Sequence, residues 1–517
     1  MNFKKLVIFC ALCASGSSVF AQYAADALRF SEFNQGTTSR FKGLGSAQTA
    51  LGGDLSSISG NPAGLGMFTR NDVSFTTNFS SSKITSSYLN NSIESQKNKL
   101  GFDQIGIVFH TSPPRTKGAD LETGWVGMNF GVGYNKTSNL NGTIDYSGLN
   151  PQSSYADFLA GNATGFNDGD PAAAGNGSAL KYSDGSPSLA RMAYDAYLIE
   201  YDPKGYFPTT ELNSIQHNTA YRTGSQSEVN FAFGANYSNK LYIGASLALS
   251  SLSYNVDRTF TERGTNSDYP TQEPELIGGT YVSTYQSYQV TDGSGVSGKL
   301  GVIFKPQDAI RIGVNFIAPT LYTIKDDFSE SLNADYKRPN GSSFYKSTNS
   351  EELYQTDYRL RTPYKLNGGV AVIVNKFGLL SGDVEYVDYS SIRYFNNDKA
   401  DQNQNNAKIR DSYQGNMNLR AGAEIKLASL MLRGGINHTG SPYKYLDFTT
   451  TTLSAGFGYR IDKMYFDFTF QNFTQNSESS PYEISEDYRY IRDTGTGPSA
   501  SLKNQRNSVF LTIGSRF

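Results

Sequence analysis

The sequence has few of the residues that most catalytic and metal-binding sites need. It has two cysteines, Cys10 and Cys13, and three histidines, His110, His217 and His438. Both cysteines lie in an N-terminal stretch that we expect to be removed, which excludes a disulfide framework, a cysteine metal site and a cysteine nucleophile. The histidines are scattered, and no Gly-x-Ser-x-Gly turn with a suitable partner occurs. The sequence therefore predicts no enzyme, no metal site and no cofactor.

Long apolar runs and an excess of positive charge are also missing. The densest apolar patch, 370–374, is far shorter than the ~18 residues of a transmembrane helix. With 45 basic and 47 acidic residues, the chain has no basic surplus that would favour nucleic acid. It is instead rich in Tyr, Phe, Gly, Ser, Thr and Asn, with a single Trp and a mean hydropathy of -0.45. This composition favours strands and turns.

The N-terminus has the pattern of a secretory signal peptide. Lys4 and Lys5 precede an apolar run, 6–14, that is too short to span a bilayer. Val19-Phe20-Ala21 then provides small residues where a signal peptidase cleaves. We therefore predict a signal peptide over residues 1–21, with cleavage near Ala21.

Apolar and polar residues alternate with a period of two along much of the chain. In one example, Leu241, Ile243, Ala245, Leu247 and Leu249 alternate with residues of other kinds. This pattern gives a strand one apolar face, which is found both in a sandwich core and in a membrane barrel. The candidate strands, fourteen in all, are 72–85, 100–111, 124–137, 226–238, 241–257, 283–305, 309–323, 357–375, 378–394, 410–427, 429–440, 450–461, 463–475 and 504–517.

The lengths of the connections favour a barrel over a sandwich. Short turns, such as 238–240 and 306–308, alternate with long polar loops, such as 258–282 and 324–356; only the link at 112–123 departs from this pattern. One end of bacterial outer-membrane barrels has tight turns and the other has long loops. We therefore predict an all-β fold, a 14-stranded antiparallel transmembrane β-barrel over residues 72–517.

The longest loop is predicted over residues 138–225, on the extracellular side. Ser186-Pro187 is typical of a helix start, and apolar residues at helical spacing follow it from Leu189 to Ile199. Residues 155–160 are a second candidate helix. The two helices would form an apolar groove that receives a ligand, or would only pack onto the barrel rim.

The last strand ends with an aromatic residue. Val509, Leu511 and Ile513 alternate with other residues up to the terminal Phe517. This pattern resembles the signal that outer-membrane barrels present to the barrel assembly machinery. We therefore expect that machinery, outer-membrane lipid and lipopolysaccharide as partners.

Residues 22–71 do not alternate and are rich in glycine. A barrel of fourteen strands is too wide for its own side chains to fill, so this segment is a candidate plug. It contains Gly53-Asp54 and then Asn61-Pro62-Ala63-Gly64-Leu65, just before the first strand. In this position the motif resembles the N-terminal hatch of the FadL family (OmpP1/FadL/TodX), outer-membrane transporters of long-chain fatty acids and aromatic hydrocarbons. Residues 419–424, 432–435 and 441–442 also resemble that family.

The resemblance implies a fourteen-stranded barrel whose lumen is plugged by a hatch, here 22–71 with the motif Asn61, Pro62, Ala63 and Gly64. It also implies that ligand leaves sideways through a gap where the third strand kinks. The candidate kink residues are Gly127, Gly131 and Gly133, because glycine weakens strand pairing; equally, these glycines make room for the plug. In the family the helical capture loop is expected after the fifth strand, whereas the longest loop here follows the third.

Charged residues are also predicted on luminal faces, where mutual pairing is ordinary. We expect most of them to form networks that hold the hatch: Asp383, Glu385, Arg420, Glu424, Arg433 and Asp467. Two further cations, Arg311 and Lys365, are candidates for receiving a substrate carboxylate. Some proteins of this group are labelled haem receptors, and haem needs an axial ligand such as His or Tyr. Three histidines give haem binding weak support here, but the many tyrosines leave it open.

The sequence thus predicts a monomeric transporter in the Gram-negative outer membrane for passive uptake of a hydrophobic or amphipathic small molecule. A general porin for polar solutes is the main alternative. A surface adhesion barrel that uses the 138–225 loop is the other.

Overall fold

A computed structural model describes residues 18–33, 36–114, 123–164, 180–181, 188–268, 273–347, 352–375, 377–484 and 497–517. Its helices are α1 (Ser18–Arg29), α2 (Ser39–Gly43), α3 (Tyr155–Thr164), α4 (Leu189–Asp195) and α5 (Lys399–Ser412), with 3₁₀ turns at Leu55–Ile58, Pro62–Met67, Pro274–Leu276 and Tyr389–Ser391. Its strands are β1 (Asp72–Tyr88), β2 (Asn91–Thr111), β3 (Trp125–Asn139), β4 (Gly142–Asn150), β5 (Ile199–Asp202), β6 (Gly205–Pro208), β7 (Ser214–Tyr237), β8 (Leu241–Thr265), β9 (Thr280–Gln307), β10 (Ile310–Ile317), β11 (Leu321–Lys337), β12 (Ser343–Ser347), β13 (Glu352–Arg361), β14 (Lys365–Val374), β15 (Gly378–Asp388), β16 (Arg393–Phe395), β17 (Gly415–Leu427), β18 (Leu430–Thr439), β19 (Thr450–Ile461), β20 (Met464–Ser479) and β21 (Ala500–Arg516).

The long strands close into a 14-stranded antiparallel barrel. Closure is made by β1, which pairs with β2 on one side and with β21 on the other. Four strands of the wall are interrupted and consist of two segments each, namely β3 with β4, β10 with β11, β13 with β14, and β15 with β16. The fold class predicted from alternation is therefore confirmed.

The two faces of each strand differ as the alternation predicts. On β8, Leu247 and Leu249 point outward and are 50% and 48% exposed, whereas Ser246 and Ser250 point inward and are buried. Further along the same outward face, Ser251 and Ser253 replace the apolar residues. The outer surface thus has an apolar band of limited height, which is typical of a barrel in lipid.

The connections are tight at one end of the barrel, here called the turn end, and longer at the other, the loop end. At the turn end Ser238, Asn239 and Asp462 adopt positive φ, as two-residue hairpin turns require. Both predicted bounds of the 138–225 loop are wrong. The strands continue to Asn150 and begin again at Ser214, so the excursion covers only 151–213. Their outward faces mix polar and apolar residues, and their inward faces bury Ile144, Tyr146 and Ala220, so the apolar-outward alternation fades although the backbone remains paired.

The excursion after β4 folds over the loop end. Helices α3 and α4 pack on barrel side chains through a buried cluster that includes Tyr155, Leu159, Met192, Phe260 and Tyr285. The predicted helix start at Ser186-Pro187 lies outside the described residues. Helix α4 begins at Leu189, where the Ser188 hydroxyl accepts a hydrogen bond from Arg191 N.

Residues 36–68, here called the luminal segment, lie inside the barrel and are almost entirely buried. Most of the predicted signal peptide, residues 1–17, lies outside the described residues, and α1 extends across the predicted cleavage point at Ala21. The signal peptide and the 22–71 boundaries of the hatch remain predictions. Among the described residues, no helix is long and apolar enough to cross a membrane.

Candidate functional site

The Asn61-Pro62-Ala63-Gly64 motif forms a turn that holds the luminal segment together. Asn61 Oδ1 accepts a hydrogen bond from Ala63 N at 3.1 Å, and Pro62 occupies the first position of a 3₁₀ turn. Asn and Pro are favoured at these two positions. The Asn61 side-chain amide also donates to Thr49 O at 2.7 Å, and a Cβ on Gly64 would overlap the Ser57 hydroxyl. The motif therefore has a clear structural role in this chain.

The same turn contacts the barrel wall directly, because glycines face it. A Cβ on Gly301 would collide with Asn61 Oδ1, and one on Gly244 would collide with the Pro62 carbonyl. Glycine is required where two backbones approach this closely. Further luminal glycines leave no room for a Cβ against the luminal segment: Gly234, Gly313, Gly422 and Gly435.

Luminal carboxylates bind the luminal segment from the other side. Asp383 Oδ2 accepts hydrogen bonds from the backbone N–H groups of Gln48 and Thr49, both at 2.8 Å. Glu424 on β17 pairs with Arg40 of α2 at 3.2 Å. Without these acceptors, buried N–H groups and a cation would remain unpaired, which is costly.

The other charged residues predicted on the luminal faces form two groups of ion pairs. Arg433 lies between Glu424 and Asp467, at 2.6 Å from each, and Arg420 pairs with Glu385 at 3.0 Å. All of these side chains are buried or nearly so. The contacts support the expectation that these charges hold the luminal segment in place.

Arg311 and Lys365, the two candidate carboxylate receptors, lie far apart in the lumen. Arg311 is near the turn end, where its Nη1 lies 3.3 Å from Met67 Sδ. Lys365 Nζ lies 3.8 Å from the centre of the Phe33 ring. Lys365 also acts on the Glu32 carboxyl: burial raises the pKa of this carboxyl, and the positive charges of Lys365 and Arg29 oppose that rise. Neither candidate lines the cavity that α1 and the helices of the excursion enclose at the loop end, so their role in ligand binding remains a prediction.

The candidate kink glycines of β3 face the luminal segment or a neighbouring side chain. A Cβ on Gly131 would lie 3.0 Å from Ile58 Cγ1, and one on Gly133 would lie 3.4 Å from Ile58 Cδ1. A Cβ on Gly127 would lie 3.2 Å from the His110 ring. Gly131 and Gly133 pair with both β2 and β7. Their positions fit the other reading of these glycines, that they make room for the plug.

The wall is interrupted a little further along β3. Pairing between β2 and β3 extends from Thr111↔Met128 only to Gln104↔Asn135. Just beyond this pair each strand has a β-bulge, since Asp103 is skipped in the register with β1 and Thr137 in the register with β7. Such bulges end strand pairing and redirect side chains.

Beyond the two bulges, β4 pairs with β7 but not with β2, among the described residues. Side chains take the place of the missing backbone ladder. Lys99 Nζ donates to Asn141 Oδ1 at 3.0 Å, and Lys97 Nζ donates to the Arg222 carbonyl at 3.3 Å. We call this stretch without backbone pairing, between β2 residues 91–103 and the chain from residue 136 onward, the wall gap.

A cavity of about 400 Å³, here called the loop-end cavity, lies between α1 and the helices of the excursion. Its volume is within the range of small-molecule sites. Half of its lining residues are apolar or aromatic, and the other half are polar or charged. Its lining includes Arg29, Tyr155, Phe158, Ala220, Arg222 and Arg258.

The arginines of this cavity escaped sequence reasoning. Arg258 donates to Asn218 Oδ1 at 2.8 Å and to the Pro481 carbonyl at 2.7 Å, whereas Arg222 Nε is buried without a hydrogen-bond partner among the described residues. Both arginines lie in stretches, 138–225 and 258–282, that the sequence predicts as loops, so alternation gives no signal for their luminal position. Register alone brings them beside Arg29, and that is not visible in sequence. Among the described residues, no cluster of His, Asp and Glu suited to a metal ion occurs.

The fold is similar to that of solved outer-membrane transporters. The crystal structure of the P. putida toluene transporter TodX aligns with a TM-score of 0.52 at 13% identity, over 93% of this chain and 99% of that one. A Pseudomonas aeruginosa FadL homologue gives a TM-score of 0.52 at 9% identity, over 93% and 98%. No protein-family model matches the sequence, and no curated protein matches it significantly. The chain therefore has a FadL-type fold, as its sequence resemblance predicted.

Proposed function

We propose that this chain takes up hydrophobic or amphipathic small molecules across the outer membrane of a Gram-negative bacterium. The loop-end cavity carries the proposal, because its volume is that of a small-molecule site and aromatic side chains such as Tyr155 and Phe158 line it beside polar groups. The solved proteins of the same fold are named as a toluene transporter and a FadL homologue, which supports the substrate class by analogy. Lipopolysaccharide and the barrel assembly machinery are the expected partners of a monomer.

We further propose that ligand leaves through the wall gap and not straight through the lumen. The luminal segment fills the lumen at the turn end, where it contacts β8, β9, β17 and β18 without intervening side chains. The wall gap lies beside it, where backbone pairing between β2 and β3 ends. A lateral path spares an apolar tail from crossing water, since the apolar outer face begins at the gap.

Conductance and transport measured on the same preparation test the proposal. Purified protein in planar bilayers should show no large steady conductance, while the same protein in lipid vesicles should speed the transfer of radiolabelled oleate or toluene. Glucose transfer serves as the control for a polar solute. A large steady conductance together with fast glucose transfer would instead establish a general porin.

A further inference from the structure

A second, much smaller cavity of about 80 Å³ lies behind the wall gap. Its lining brings together Lys42 of the luminal segment, Asp103 of β2, Lys136 of β3 and Arg506 of β21. Asp103 is the bulged residue of β2, and Lys136 immediately precedes the bulge of β3. The two bulges therefore place charged side chains at the wall gap itself.

Positive charge dominates this cavity. The charged groups that act on Lys136 are the carboxylate of Asp103 and the cations of Lys99, Arg506 and Lys42. We call Lys136 and these three cations the gap cluster. The chain as a whole has 45 basic and 47 acidic residues, so this local excess does not follow from composition.

The single carboxylate is already engaged by other groups. Asp103 Oδ1 accepts a hydrogen bond from Asn78 Nδ2 at 2.5 Å, and its Oδ2 lies 3.5 Å from Lys42 Nζ. Arg506 lies over the Phe473 ring at 4.5 Å. Among the described residues, neither Lys136 nor Arg506 forms an ion pair. Lys136 and Arg506 are half-buried, and cations that are partly withdrawn from water and share one carboxylate raise the free energy of the site, which a bound anion lowers.

The outer side of the gap has the opposite character. Leu100 and Phe102, which flank Gly101 on β2, point toward lipid and are 77% and 36% exposed. Phe102 also stacks on Tyr134 of β3, with ring centres 5.7 Å apart, just where pairing ends. The gap thus has cations on its luminal side and apolar side chains on its lipid side.

We propose that the gap cluster binds the anionic headgroup, a carboxylate or a phosphate monoester, of an amphiphile whose tail passes through the wall gap. The small cavity has room for such a headgroup but not for a long tail. The inference rests on the proposed lateral exit and adds a preference for anionic over neutral amphiphiles. Lys136 and Arg506, which have no carboxylate partner, are the residues expected to set that preference.

The test compares three probes with one chain length: oleate, oleyl phosphate and oleyl alcohol. Their transfer into vesicles that contain the full-length protein is measured for the unmodified chain and for the double variant Lys136→Gln/Arg506→Gln. Loss of two charge-assisted hydrogen bonds should slow transfer of the bound anion at least about tenfold, while oleyl alcohol transfer stays unchanged. The relative slowing of oleate and oleyl phosphate identifies the headgroup. Lys240→Gln/Lys463→Gln, at exposed turn positions, is the matched control.

The outcomes separate this inference from the proposed function. Equal slowing of all three probes would show that the two residues only shape the gap, and unchanged oleate and oleyl phosphate transfer would show that they are not used; either result overturns the inference while uptake stands. If the unmodified protein transfers none of the probes, the proposed function itself fails. Lys136→Arg/Arg506→Lys, which keeps both charges, should retain most of the anion transfer.

Discussion

The β2–β3 and β17–β18 seams of the barrel wall differ in how far their backbones pair and in how they contact the luminal segment. The β17–β18 seam is paired without interruption from Asn418↔Thr439 to Leu427↔Leu430, and its luminal glycines, Gly422 and Gly435, touch the backbone of the luminal segment. The β2–β3 seam is paired only near the turn end. There, the luminal segment offers the side chain of Ile58 instead of its backbone.

The difference indicates how one wall can both hold a plug and open. Backbone contact through glycine fixes a distance that no rotamer change can alter, so the β17–β18 side anchors the luminal segment. Contact through a side chain such as Ile58 can adjust by rotation about its own bonds. The bulges at Asp103 and Thr137 then mark where backbone pairing between β2 and β3 ends on the adjustable side.

The largest expected effect comes from removing the bulge of β3. Deleting Thr137 would restore the period-two register beyond Asn135, so that β3 can continue pairing with β2 and close the wall gap. We expect oleate transfer into vesicles to fall to the level of protein-free vesicles. Barrel assembly, measured by heat-dependent mobility in gels, should be unchanged.

A second bulge on the same strand provides the matched control. Val126 is skipped in the register with β7 near the turn end, far from the gap. Deleting Val126 should leave oleate transfer intact. Full transfer by an assembled Thr137 deletion would rule out the wall gap as the exit.

The anchoring seam can be broken by adding one side chain. A Cβ on Gly435 would overlap the backbone of Leu44 and Gly45, whereas one on its neighbour Gly434 points outward and meets only Ser454 O at 4.0 Å. Gly435→Val should therefore displace the luminal segment, at a cost of about 1–3 kcal/mol or more from overpacking. We expect new steady conductance in planar bilayers, and none for Gly434→Val. Equal conductance of the two variants would contradict the anchoring role.

Filling the loop-end cavity should have a smaller effect on transport. Ala220 is buried and lines this cavity, while Thr219 faces the other side of β7. Ala220→Trp should slow oleate transfer several-fold by occupying the space of the ligand, and Thr219→Trp should not. The measurement is the initial rate of transfer together with equilibrium binding of radiolabelled oleate. Unchanged binding by Ala220→Trp would place the ligand elsewhere.

Much of the barrel could be predicted from sequence, because a membrane imposes period-two alternation wherever strands cross it. Residues 241–249 carry that signal plainly and were assigned correctly. The signal stopped where lipid stops, so residues 142–150 and 214–225 were assigned to a loop although they are paired strands. Backbone hydrogen bonding continues in these residues, but the order of polar and apolar side chains no longer indicates it.

The site was less accessible to sequence reasoning than the fold. The Asn61-Pro62 motif could be predicted from its position before the first strand and its resemblance to the FadL-family hatch, and its cap hydrogen bonds are local. The wall gap was missed because a bulge is one extra residue in one strand, and nothing at Asp103 or Thr137 distinguishes it before the register is known. The gap cluster likewise combines Lys42 with Arg506. These residues are distant in sequence and meet only because the barrel closes around the luminal segment.

A smaller effect is expected from the carboxylate that holds the luminal segment. Asp383→Ala would leave the N–H groups of Gln48 and Thr49 without their acceptor, a loss of about 1–3 kcal/mol for each buried group. Hydrogen exchange at these two amides should accelerate accordingly. Asp383→Asn, whose side-chain oxygen still accepts, should restore most of the protection, and Asp308→Ala at an exposed turn should have no effect. Unaltered exchange in Asp383→Ala would show that other contacts suffice.

The smallest effect separates the two roles considered for the β3 glycines. A Cβ on Gly133 would make ordinary contacts of 3.4 Å with Ile105 O and Ile58 Cδ1, so Gly133→Ala should alter stability by less than about 1 kcal/mol. If Gly133 only makes room for Ile58, oleate transfer should also stay unchanged, since a methyl group fits. If instead its backbone freedom bends β3 toward the gap, the same methyl group should slow transfer without changing assembly. Transfer and assembly measured side by side therefore decide between a bend distributed along β3 and one confined to the bulge at Thr137.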